Sequence, residues 1–409
     1  MTLHPPHHTP KQPLDFAQDH PLLTALALSL AAAVALGLTR FSYGVLLPPM
    51  RSDLGWSYFI AGAMHTGNAL GYFLGALLTP ALLRRIDIWR LLVLSAFVAA
   101  AIMLLSGTVV SSRLLLLLRI GSGVVSAFMF IAGGILAARL GSLHSARAGL
   151  LIGLYYGGTG LGIALSALLV PITLGWAQQH HVAHAWQWPW LGLGLACLLA
   201  AALMAWPTKD LGATTLPNGH RRPFAIREFQ FGLAGYFMFG VGYIGYMTFV
   251  IALLKEQGMA PNRITLFYTL LGVAVVASSR LWAKVLERFK GGEALALFNG
   301  LLGVAAILPA FTSALPVVFV SGIVFGAVFL SAVASTTALV RHNLPPDSWS
   351  AGISAFTVVF ALGQVVGPIV VGWVADGPGG LARGLIFSAL ALLIGAVLAS
   401  RQKALAPSA

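Results

Sequence analysis

Apolar runs of about twenty residues recur from residue 22 to residue 400, and they restrict this chain to one kind of architecture. A hydrocarbon layer about 30 Å thick is crossed by about twenty helical residues at 1.5 Å each. The runs fall at 22–47, 57–79, 89–108, 113–138, 147–171, 187–206, 229–253, 265–283, 293–313, 316–339, 350–374 and 381–400. Inside lipid each run must satisfy its own backbone N–H and C=O groups, so each reads as a helix. The expected fold class is an all-α polytopic membrane protein with twelve transmembrane helices. Eleven is the alternative where neighbouring runs lie close together.

Charge placement tests the count. A net charge of +13 would raise nucleic acid as a partner if the cations formed a stripe, but they sit in short loops between apolar runs. Alternate loops hold very different numbers of Lys and Arg: sixteen on one side against five on the other. By the positive-inside rule the loaded side is cytoplasmic, which puts both termini there, in a bacterial inner membrane, with no nucleic-acid partner. The expected organisation is a disordered cytoplasmic tail at 1–21, a six-helix bundle at 22–206, a polar cytoplasmic loop at 207–228, a second six-helix bundle at 229–400 and a tail at 401–409. Shifting the second half onto the first by 205 positions superposes Gly37 on Gly242, Gly158 on Gly363 and Gly162 on Gly367. In a chain with 46 glycines used for close helix packing, this is weak support for an internal repeat.

No enzyme, metal centre or cofactor is expected. Cys197 is the only cysteine, which excludes an intramolecular disulfide or a thiolate cluster. Pro5 and Pro6 break any helical spacing among His4, His7 and His8. The His180, His181 and His184 group is read as an interfacial loop anchored by Trp186 and Trp188. The GGTGLGIAL run (157–165) imitates a phosphate loop but lies inside an apolar helix, with no preceding strand.

The candidate site comes from charges in the wrong solvent. Every Asp and Glu falls in a tail, a loop or a helix end, whereas Arg40, Arg119 and Arg280 fall inside apolar runs. An intramembrane charge costs at least about 2.5–3.5 kcal/mol and marks a partner or a wet cavity. With no carboxylate at that depth, an anionic ligand is the natural counter-charge. Depth counting puts Arg40, His65, Asn68 and Arg119 in one layer, with Tyr43 on the Arg40 face and Ser122 and Ser126 on the Arg119 face. Tyr156, Tyr243 and Gln364 add hydrogen-bonding groups near the midplane. Substrate contact is expected at Arg40, Tyr43, His65, Asn68, Tyr156, Tyr243 and Gln364, and energy coupling at Arg119 and His65. Arg280 lies about one turn from a helix end and can snorkel.

Twelve runs around a polar central loop resemble the major facilitator superfamily (MFS), and RIGSGVVSA (119–127) is similar to its fourth-helix Arg–Gly motif. That resemblance implies a role in energy coupling for Arg119. GLTRFSYGVLLPPM (37–50), NALGYFLGALL (68–78) and GQVVGPIVVGWVAD (363–376) resemble the YbfB/YjiJ-type branch. The loop TPALLRRIDIW (79–89) lacks the superfamily's full Gly–Asp–Arg–Gly–Arg pattern, and the fifth run lacks the Gly–Pro pair of antiporters. The expectation is a secondary transporter of a small organic anion working by alternating access as a monomer in lipid, with protons as a candidate coupling ion. Efflux of amphipathic compounds is the alternative, and a non-transporting membrane sensor a remote one.

Overall fold

The computed structural model describes residues 15–212, 225–345 and 348–405. His4, His7, His8 and most of the expected tail lie outside the described residues, as do 213–224 of the central loop. Among the described residues all regular structure is helical. The long helices are α1 (Pro21–Leu54), α2 (Tyr58–Leu82), α3 (Ile88–Ser106), α4 (Ser112–Leu143), α5 (Ala148–Gln179) and α6 (Gln187–Ala205). They continue with α7 (Gln230–Glu256), α8 (Pro261–Leu281), α9 (Glu293–Phe311), α10 (Leu315–Asn343), α11 (Trp349–Ala375) and α12 (Gly380–Ser400). Among the described residues ten helices are long and apolar enough to cross a membrane. The other two are α2, which carries His65, Thr66 and Asn68 in its middle, and α8, which opens on Pro261, Asn262 and Arg263.

Helix ends follow local chemistry. Ser57 caps α2 by accepting from the Ile60 N–H at 3.2 Å, and Asp87 caps α3 through Trp89 and Arg90. Gly55, at φ 64°, ends α1 in the left-handed conformation that glycine adopts at little cost. Residues read as structureless tail include a short helix, Asp15–Asp19, whose Phe16 ring lies 4.7 Å from that of Trp206. In the 180–186 loop His184 and the Trp186 indole both bond to the Asp53 carboxylate at 2.6 Å, and Trp176 stacks on His180.

Packing repeats six helices on. Helix α1 packs on α5, α2 on α4 and α3 on α6, while α7 packs on α11, α8 on α10 and α9 on α12. The glycine register lies inside this repeat. Gly158 sits against Ser29 and Gly162 against Ala33 and Gly37 of α1, while Gly363 and Gly367 sit against Phe237 and Val241 of α7. A Cβ on Gly162 would meet the Gly37 Cα at 2.8 Å, so these helices approach as closely as backbone allows. The two sets of six meet along α2·α11, α5·α8 and the second half of α1 against α7.

Candidate functional site

The site begins with a break in the regular winding of α1. Over Ala33–Phe41 the helix widens into π turns, with Ser42 N–H donating to the Gly37 carbonyl at 3.0 Å. Such turns are rare and recur at functional positions. Carbonyls in this stretch accept from other helices: Arg119 of α4 donates through Nη1 to Thr39 O at 2.6 Å, and the Tyr268 hydroxyl of α8 donates to Phe41 O at 2.7 Å. The Thr39 and Ser126 hydroxyls bond at 2.8 Å. Arg40 therefore projects from a turn fastened from both sides. Removing the Tyr268 hydroxyl with Tyr268→Phe is expected to lower unfolding free energy by about 1 kcal/mol, read as a drop in thermal midpoint in detergent.

Arg40 is 2% exposed and donates from Nη2 to the Gln364 Oε1 of α11, joining the two sets of six helices. Its guanidinium lies 5.4 Å from the Tyr72 ring centroid. Arg119 is 3% exposed, with the Tyr43 ring at 4.9 Å and the Trp190 ring at 5.8 Å from its guanidinium. Among the described residues neither arginine has a carboxylate within 4 Å. Arg40 Nε, Arg119 Nε and Arg119 Nη2 are buried without a hydrogen-bond partner. Arg280, by contrast, is exposed at the end of α8.

The expected residues make two adjoining sets of contacts. The deeper cluster, near the middle of its helices, gathers Arg40, Gln364, Tyr72 and Tyr243, and Tyr243 and Tyr156 are the phenolic neighbours of Tyr72. The other cluster lies nearer the 55–57 loop. There His65 Nδ1 meets the Thr248 hydroxyl of α7 at 3.1 Å, and Tyr43 donates to Ala61 O at 2.9 Å. Asn68 donates to Arg119 O at 3.2 Å and to Ser122 Oγ at 2.9 Å. The two sets adjoin, since Arg119 donates to the carbonyl of Thr39, the residue before Arg40. His65 Nε2 and Asn68 Oδ1 remain unpartnered, so this cluster also has unused hydrogen-bonding capacity.

Tyr156 is 38% exposed and packs edge-on against Phe130 and Tyr155. Tyr236, Phe239, Tyr243 and Phe360 form a set of near-parallel rings. Sequence reasoning missed Tyr72, Phe360 and Thr248. A signal existed for Tyr72, which follows His65 and Asn68 at i+7 and i+4 on one helical face; for Phe360 it was its place one turn before Gln364.

Comparisons with known proteins agree with this architecture. The family model described as "Uncharacterised MFS-type transporter YbfB" matches residues 32–400. The "Putative tartrate transporter" of Agrobacterium vitis is 29% identical over 149 residues, which are 36% of this chain, and the chain spans about a third (34%) of that relative's length. Among solved structures, a bacterial homologue of the human lysosomal transporter Spinster, in an inward-facing unoccupied conformation, superposes with a TM-score of 0.68 at 16% identity, covering 94% of this chain and 96% of that one. The nucleoside transporter NupG gives 0.66 at 12% identity, covering 96% and 100%. The MFS transporter FucP gives 0.60 at 15% identity, covering 94% and 99%.

Proposed function

Because the chain belongs to the YbfB-type family of MFS transporters, a multi-pass membrane family, we propose that it moves a small organic anion across the bacterial inner membrane by alternating access. In this reading all twelve long helices cross the bilayer as two six-helix bundles, and both termini are cytoplasmic. The monomer suffices, since the site lies between its own two halves. The observation that carries the proposal is the pair of buried arginines without a carboxylate, one of them bonded across the interface between the halves. Desolvating each charge costs several kcal/mol, which a bound anion would offset. The partial likeness to a tartrate transporter supports an anionic substrate.

The residues take distinct parts. Arg40 contacts the anion, and Gln364 holds Arg40 while the site is empty. Tyr243 and Tyr156 line the approach. Arg119 fixes the widened turn that carries Arg40, which is how α4 would couple to the site. His65, with Tyr43 and Asn68 beside it, forms a second bond between the halves and is the candidate proton carrier. No chemical conversion belongs to this reading.

The test is counterflow in proteoliposomes with a panel of carboxylates, amino acids and cationic dyes, with and without a pH gradient. Exchange of a carboxylate is the expected result, and acceleration by the gradient would identify proton coupling. The set of near-parallel rings favours a second reading, efflux of amphipathic compounds. Dye transport that is indifferent to Arg40→Ala would replace the first reading with the second.

A further inference from the structure

We propose, resting on the anion-transport reading, that the substrate is an aromatic monocarboxylate whose carboxylate takes Gln364's place on Arg40 and whose ring lies against Phe360. The different partners of the two arginines argue for one carboxylate. Arg40 bonds to a side-chain amide that a ligand can displace, whereas Arg119 bonds to the backbone carbonyl of Thr39, between the Tyr43 and Trp190 rings. A second carboxylate beside the aromatic rings would be desolvated without a cation.

The shape of the wall argues for a planar body. Phe360 lies one turn before Gln364 and so shares its face of α11. Its ring lies at 4.8 Å and 18° to Tyr236, 5.4 Å and 10° to Phe239, and 5.6 Å and 21° to Tyr243. Phe360 is nevertheless only half-buried, so part of the ring is left uncovered. Tyr72 is also half-buried beside Arg40, and among the described residues the hydroxyls of Tyr72, Tyr156 and Tyr243 have no hydrogen-bond partner. This wall offers the Arg40 cation, parallel rings and phenols, which suit offset stacking of a flat ring and a hydrogen bond to its substituents.

Benzoate and cyclohexanecarboxylate separate the possibilities, because they share a carboxylate and nearly a size but differ in planarity. Benzoate is expected to inhibit or drive counterflow at a concentration about tenfold lower than cyclohexanecarboxylate. Phe360→Leu should shrink that ratio to about threefold or less. Equal potency of the two acids in the wild type, a comparison that needs no variant to fold, overturns the inference. Exchange of tartrate without benzoate also overturns it while leaving anion transport standing. If no carboxylate exchanges at all, the proposed function itself has failed.

Discussion

Arg40→Ala is expected to abolish carboxylate exchange while the purified protein stays folded, with a thermal midpoint no lower than that of the wild type. Both halves of that result follow from the same burial. A guanidinium that is 2% exposed, bonded to a neutral amide and left with an unpartnered Nε, is a charge the folded protein stabilises poorly. Deleting it removes a desolvation cost along with one charged hydrogen bond, so stability has little to lose. Binding has much more to lose, because the anion would be left buried without its counter-charge. Losing one partner of a buried pair costs about 3–5 kcal/mol, or about two to three and a half powers of ten in affinity. Arg40→Lys should recover part of this, since a lysine keeps the charge but not the planar two-point fork. Carboxylate exchange by Arg40→Ala within about threefold of wild type would show the arginine to be structural.

Hydropathy located the helices well because the bilayer leaves one way to satisfy the backbone, and the described helices start within a few residues of the apolar runs. The ends show its limit. Helix α1 runs to Leu54 and α5 to Gln179, both past the apolar stretch, since backbone bonding continues where side chains have already turned polar. Pro48 and Pro49 lie within α1 rather than ending it. At the site, the arginines were legible because a charge among apolar residues needs a reason. The π turns of α1 were not, because nothing in AVALGLTRF demands them; they are fastened by Arg119 and Tyr268, far away in sequence. The Arg40–Gln364 and His65–Thr248 bonds were equally hidden, since they depend on how the two sets of six helices meet.

Asp376→Ala combined with Glu256→Gln is expected to open the end of the bundle that carries the 55–57 loop. The two sets of six helices are latched there. The Asp376 carboxylate at the end of α11 accepts from the Tyr58 and Phe59 N–H groups at 2.7 and 2.8 Å, capping α2 from the opposite half, while Ser57 accepts from Ile60. The Tyr58 hydroxyl donates to Glu256 at the end of α7, and the Arg51 guanidinium lies 3.7 Å from the centroid of the Tyr58 ring. Access from this side requires these contacts to break. Asp376 and Glu256 are water-exposed, so their charges are screened and the cap is worth no more than about 0.5–2 kcal/mol. With the Tyr58 bond the double variant should shift the equilibrium by about 1.5–3 kcal/mol, or about ten- to a hundredfold. The reporter is Met247→Cys in a Cys197→Ala background, because Met247 is fully buried and its carbonyl packs against Gly44 across the interface. Thiol labelling at this position should accelerate by that factor in the double variant. Labelling of Tyr156→Cys, at a position that is 38% exposed, should slow as the population moves away from the conformation seen here. If both reporters label at the same rate with and without the latch, Asp376 is a local helix cap and the end of the bundle is held shut by the packing of α1 on α7 and α2 on α11.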